Sequence, residues 1–209
     1  DSIREYICNF IMSKLETNQV DPATGTTLTL GTSGDTISIP SGVTIANSGT
    51  ATGFGGDNTP SFMAFLSSNQ TLSDNVYTKI QFNSEVYDTD NAYDNSSNYR
   101  FTVPSGEAGK YFVNYTMLIY DSSANLLGSR VALYKNGVEF VDTITELDAG
   151  ISHRFYNDSQ NVSVIMNLSA GDYLEVYGRG NTTDSGTFVV SGNSTYYYSF
   201  FSVHKLIGV

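Results

Sequence analysis

Histidine, cysteine and converging carboxylates do most protein chemistry, and this sequence offers few arrangements of them. His153 and His204 are its only histidines and Cys8 its only cysteine. Neither histidine sits in an H-E-x-x-H zinc arrangement, and no cysteine pairs with either. A G-x-S-x-G elbow, a phosphate-binding Gly-Lys-Ser/Thr loop and a dinucleotide fingerprint are all absent. A catalytic site needs groups that converge; nothing in the spacing brings these together, so a surface or interface role is expected for both histidines. Acidic residues could supply the carboxylate pair of a glycan hydrolase almost anywhere, so their presence selects no site.

Two groups suit binding better than bond-breaking. The loop Asp88-Thr89-Asp90-Asn91-Ala92-Tyr93-Asp94 alternates oxygen-bearing side chains. Calcium takes about six to eight oxygen ligands, which makes Asp88, Asp90 and Asp94 candidate Ca²⁺ ligands, the only cofactor the sequence suggests. The loop lacks the glycine and the terminal glutamate of an EF-hand. Its alternative is Asx-turn chemistry, in which the carboxylates accept local backbone N–H groups. The second group is tyrosine, which joins a flat apolar face to a hydroxyl and suits sugar stacking and protein interfaces alike. Tyr93, Tyr99, Tyr156 and Tyr177 fall near expected loops or strand ends and are candidate receptor contacts; packing at a subunit interface is the alternative. Asn-x-Ser/Thr triplets at Asn69, Asn95, Asn114, Asn167 and Asn181 follow from the abundance of those residues, and several fall inside expected strands, where a glycan would not fit.

The elements that must position these residues are strands. Only 15% of the 209 residues are charged, tryptophan is absent, and Gly, Ser, Thr, Asn and Tyr are abundant, which describes an all-β chain. The net charge of -11 argues against a nucleic-acid partner and against an anionic membrane surface, and no basic stripe runs along the sequence. No run approaches the roughly 20 apolar residues of a membrane span. The start at Asp1 is too short and too acidic for a signal peptide. Met12-Ser13-Lys14-Leu15 reads as a natural start, with residues 1–11 as translated upstream sequence; genuine mature structure is the alternative.

Composition shifts near residue 57. Between Thr24 and Gly56, short alternating runs (26–30, 36–39 and 43–45) are separated by turn residues. One copy of so thin a segment buries too little apolar area to offset its ordering entropy. Leu28, Leu30, Ile37, Ile39, Val43 and Ile45 therefore make sense as a core shared by three chains; a flexible linker is the alternative. The Gly-rich stretch 51–57 reads as a hinge. Beyond it come longer, aromatic strands at 62–66, 76–86, 100–104, 110–120, 129–135, 138–144, 160–168, 172–177, 188–190 and 196–206. Asn136-Gly137 between two apolar runs is a strong hairpin signal. Strand 110–120 is apolar on both faces, so one face needs the core and the other a neighbouring subunit. Tyr111, Val113, Tyr115, Met117, Ile119, Tyr198 and Phe200 are the expected core or trimer-interface residues. Apart from a short helix at 2–16, no helical periodicity appears.

Three stretches carry a resemblance. Val86 to Asp94, Tyr99-Arg100-Phe101-Thr102-Val103-Pro104 with Ala108-Gly109-Lys110-Tyr111-Phe112, and Leu168-Ser169-Ala170-Gly171-Asp172-Tyr173-Leu174-Glu175-Val176 are similar to the signature of complement C1q-like globular domains. The closing Tyr198-Ser199-Phe200-Phe201-Ser202-Val203-His204-Lys205-Leu206 resembles that family's last strand, with Ser202 where glycine is usual. The resemblance implies a ten-stranded jelly roll of the tumour-necrosis-factor kind over residues 57–209, and a homotrimer. Residues 13–55 resemble the N-terminal part of structural and tail-fibre proteins of marine phages, which implies a β stalk over residues 1–56. The collagenous stalk of animal C1q proteins is missing. Together these imply a non-enzymatic trimer on a virion surface, either a tail fibre or a capsid-decoration fibre. Residues 12–56 would dock on other virion proteins, and the head would meet a host-surface glycan or protein. A secreted or surface-bound bacterial C1q-like module and a fibre-borne glycan hydrolase are the competing expectations.

Overall fold

A computed structural model describes residues 19–49, 58–123, 125–147 and 154–207. Cys8, His153, the expected helix at 2–16 and the hinge at 51–57 lie outside the described residues. The chain divides into two units, Asp1–Ala51 and Thr52–Val209.

In the first unit the expected turns form and the expected strands do not. Gly31, Gly34 and Gly42 take positive φ. The Asp35 N–H donates to the Thr32 carbonyl at 3.0 Å and the Val43 N–H to Pro40 at 3.2 Å. The Asp35 carboxylate accepts the Thr32 N–H at 2.7 Å. Residues 26–30, 36–39 and 43–45 belong to no strand, and Leu28, Leu30, Ile37, Ile39, Val43 and Ile45 are all exposed. The physical reason is the ladder: alternation favours a strand only where a neighbouring strand supplies hydrogen bonds and cover. This segment of a single chain has neither.

The second unit is two antiparallel sheets. The first contains β1 (Ser61–Phe65), β2 (Gln70–Ser73), β4 (Ser84–Asp88), β7 (Gly109–Tyr120), β10 (Asn157–Leu168), β12 (Thr187–Val190) and β13 (Phe200–Lys205). The second contains β3 (Thr78–Lys79), β5 (Tyr93–Asp94), β6 (Arg100–Thr102), β8 (Leu126–Lys135), β9 (Val138–Glu146) and β11 (Tyr173–Thr182). In the first sheet β10 lies along the whole of β7, and the order continues β13, β1, β4; β12 and β2 extend it beside the end of β7. In the second, the order is β5-β6-β11-β8-β9, with β3 on β11.

Among the described residues the strands number thirteen, more than expected, because the run 76–86 splits into β3 and β4 and because β2 and β5 are too short to show as alternation. The last strand starts at Phe200, not Tyr196, because Tyr197 adopts φ 48 in a preceding turn. The Asn136-Gly137 hairpin forms as read, with φ of 53 and 78, which suits the right-handed twist of its strands. Between the sheets, Phe62 stacks on Tyr93 at 4.6 Å and meets Phe201 edge-on at 5.1 Å. Alternation places Tyr111, Val113, Tyr115, Met117 and Ile119 of β7 on this inner side, each 0% exposed.

Candidate functional site

The acidic loop is built by its own backbone. The Asp88 carboxylate accepts N–H groups of Ala92 at 3.1 Å and Tyr93 at 2.8 Å. The Asp94 carboxylate accepts those of Ser96, Ser97 and Asn98 at 3.0, 2.9 and 3.1 Å. These backbone donors hold the Asp94 carboxyl well below the usual carboxylate range. Asp90 takes the Thr89 hydroxyl at 2.6 Å. The loop thus makes Asx-turn caps, and among the described residues no three His, Cys, Asp or Glu side chains converge as a metal site. Beside it lies a cleft of about 340 Å³ lined by Asp90, Asp94, Asn98, Arg100 and Thr102 among others.

The four receptor candidates separate. Tyr93 is not a surface residue: it is 5% exposed, lies on Phe62 and donates its hydroxyl to the Phe82 carbonyl at 3.2 Å. Burial raises its phenol pKa. A two-residue strand, β5, turns it inward, which its loop-like sequence context concealed. Tyr99 is half-buried at φ 49. Tyr156 is 57% exposed and stacks on Tyr120 at 6.4 Å. Tyr177 is half-buried on the outside of the second sheet, 4.3 Å from Tyr134.

The two outer faces differ in chemistry. On the first sheet, the register pairs Phe200 with Thr116, Ser202 with Asn114 and His204 with Phe112, and Ile165 with Phe112. Those residues, with Met63, Leu118 and Tyr120, form one face. Its described strand residues between Tyr111 and Tyr120, Phe200 and His204, Ser61 and Phe65, and Ser159 and Ile165 include no Asp, Glu, Lys or Arg on the outer side. Thus Tyr111, Val113, Tyr115, Met117 and Ile119 serve the core, and the side facing away from the core is their alternate set. Phe200 is half-buried on this face, and Tyr198 is 41% exposed at its edge beside Tyr196. His204 Nδ1 lies 2.9 Å from the Ser61 hydroxyl, and its ring stacks on Phe112 at 6.5 Å. Burial lowers its pKa.

The outer side of the second sheet gathers cations and tyrosines from β3, β6, β8, β11 and the segment before β3. Arg100 lies over the Tyr173 ring at 4.5 Å, Arg179 over Tyr77 at 5.6 Å and Lys79 over Tyr177 at 5.9 Å. Arg130 stands directly opposite Arg179. Asp142 accepts from both Arg130 at 2.9 Å and the Tyr77 hydroxyl at 3.0 Å. Sequence reading missed this patch, since its members are spread between residues 77 and 179 and only pairing of β11 with β3, β6 and β8 joins them.

No family model matches the chain, and no curated protein matches it in sequence. Among solved structures it is similar to that of Eiger TNF from S. frugiperda, at 13% identity over 72% of this chain and 94% of that one, with a TM-score of 0.50. The head is a tumour-necrosis-factor-like jelly roll. Murine APRIL also aligns, at 14% identity over 70% of this chain and 99% of that one, with a TM-score of 0.48. Among the described residues no helix is long and apolar enough to cross a membrane.

Proposed function

We propose that this chain is a homotrimeric, non-enzymatic attachment protein of a bacteriophage particle, with three heads packed through the outer face of the first sheet. The carrying observation is that face. The chain holds 31 charged residues, 21 acidic and 10 basic, yet β7 carries only Lys110, at one end, on this side, and from there to Tyr120 the surface is lined by Phe112, Leu118, Tyr120, Ile165 and Phe200 with no charge among them. A contiguous apolar surface of this kind on a soluble domain marks a contact site. A closed three-fold arrangement would cover it and would supply company for the exposed Leu and Ile side chains of residues 26–45. The virion setting draws support from the phage-like N-terminal pattern, with residues 12–56 docking on other virion proteins. Three heads per fibre would multiply modest contacts with a host-surface molecule.

Sedimentation equilibrium tests the trimer. The expected mass is three times 22.7 kDa, about 68 kDa, and Phe200→Asp, which forces a carboxylate into the covered face, is expected to release monomers. A wild-type chain sedimenting as a well-folded monomer refutes the arrangement. Electron microscopy of the particle tests the setting; a particle with no density for this chain refutes it and favours a bacterial surface module.

A further inference from the structure

The outer side of the second sheet faces away from the proposed three-fold contact, and it gathers cations in a chain that is acidic overall. Of the ten Lys and Arg residues, Lys79, Arg100, Arg130 and Arg179 gather here. Their acidic partners lie beneath them. Side-chain exposure is 30% for Lys79 against 7% for Glu175, to which it is bonded at 2.5 Å, and 34% for Arg130 against 17% for Asp142. Lys79 and Arg130 are thus more open to water than the carboxylates they pair with. Arg100 and Arg179 have no ion pair among the described residues. Each guanidinium lies on a tyrosine ring, and Arg179 also donates to the Asn75 side chain. A guanidinium carries about five N–H donors in a rigid fork matched to carboxylate or sulfate, so both forks keep donors to spare and are held in place before any ligand arrives. Of the facing pair Arg130 and Arg179, Arg130 has its carboxylate partner in Asp142 and Arg179 has none among the described residues, so an anion beside Arg179 would meet an unpaired charge. A small cleft of about 40 Å³ opens beside this pair, lined also by Asn181 and Glu146.

We infer that this face binds an anionic polysaccharide, one bearing carboxylate or sulfate groups. The inference rests on the attachment reading above and names its ligand class. Spacing favours a polymer over a small anion. Tyr173, under Arg100, and Arg179 are six residues apart on β11, about 20 Å along the strand. Between them lie Tyr134 and Tyr177, whose partly exposed aromatic groups suit the C–H faces of sugar rings. Glu139 and Glu146 flank the face on β9, and Asp94 stands opposite Arg100, so the cations form a short stripe with acidic margins, and the oligothymidylate arm of the test separates a nucleic acid from a polysaccharide.

The test compares the full chain binding to polygalacturonate, to neutral dextran and to a single-stranded oligothymidylate by biolayer interferometry at two salt concentrations. Polygalacturonate is expected to bind, more weakly as salt rises, and R100Q/R179Q to weaken it by about tenfold or more. Lys110→Gln, which removes a cation from the other sheet, should leave it unchanged. Equal elution volumes for wild type and R100Q/R179Q confirm that the fold survives. Absence of polygalacturonate binding, equal binding of dextran or oligothymidylate, or an unchanged R100Q/R179Q overturns the inference. Sedimentation separates the two claims: a monomer whose polygalacturonate binding still depends on Arg100 and Arg179 sinks the trimer and keeps this site. A trimer indifferent to polygalacturonate does the reverse.

Discussion

Replacing Gly192 with alanine should unseat one end of the sandwich. Gly192 lies in the loop between β12 and β13, pressed on the loop between β1 and β2. A Cβ there would sit 2.1 Å from the Ser68 carbonyl oxygen, 2.3 Å from its carbon and 2.7 Å from its nitrogen. These are backbone atoms and cannot rotate aside. Relief to an ordinary contact of about 3.5 Å needs a shift of more than about 1 Å. Such a shift takes with it the bonds from the Gly192 N–H to Asn69 Oδ1 at 3.0 Å and from the Asn193 N–H to the Leu66 carbonyl at 2.9 Å. Overpacking costs about 1–3 kcal/mol, and each lost hydrogen bond about 1 kcal/mol, for a total of about 3–5 kcal/mol. In a chain of this size that lowers Tm by about 6–20 °C. Scanning calorimetry of Gly192→Ala beside Gly106→Ala isolates the clash. Gly106 has φ +86 and nothing within 4 Å, so its variant should lose only the backbone strain of about 1–2 kcal/mol. A Gly192→Ala protein that melts as high as Gly106→Ala refutes the loop-on-loop contact.

Acid should weaken the protein through His204. Burial lowers its folded pKa below the ordinary 6.5, so its contribution is complete above pH 6.5 and declines as pH falls below that value; Ser61, Tyr87 and Phe112 around it offer no counter-charge. His204→Gln should flatten a melting-temperature profile between pH 7 and pH 5, and an unchanged slope would contradict this. A second acid step should follow below pH 3.8, where Asp172, held down to about 2 by Lys135, Asn136 and the Ser169 N–H, and Asp94, held low by its turn, take up protons. Chelator should leave Tm unchanged because Asp88 and Asp94 already spend their oxygens on backbone N–H groups; a drop restored by Ca²⁺ would revive the metal reading.

Sandwich architecture was legible wherever a strand was long. The alternation at Lys110–Tyr120 marks a strand, though not which of its two apolar sides is buried, and Asn136-Gly137 marks its hairpin, because period-two patterning and positive-φ preference are local properties. Locality also limited the reading. Tyr93 looked like a loop residue, yet a two-residue strand turns it onto Phe62. Residues 26–45 carry strand patterning but form no strand, because the ladder partner has to come from elsewhere.

Composition and alternation by themselves determined that residues 57–209 would be mostly β, that the chain is low in charge and that its central strand is doubly apolar. Tertiary structure alone decided which side of that strand is core, and that charge would be sparse on one outer face and plentiful on the other. Strand pairing made that decision. Lys79, Arg100, Arg130 and Arg179 are far apart along the chain and become neighbours only when β11 takes β3, β6 and β8 alongside it, a long-range event that no stretch of sequence around any one of them records.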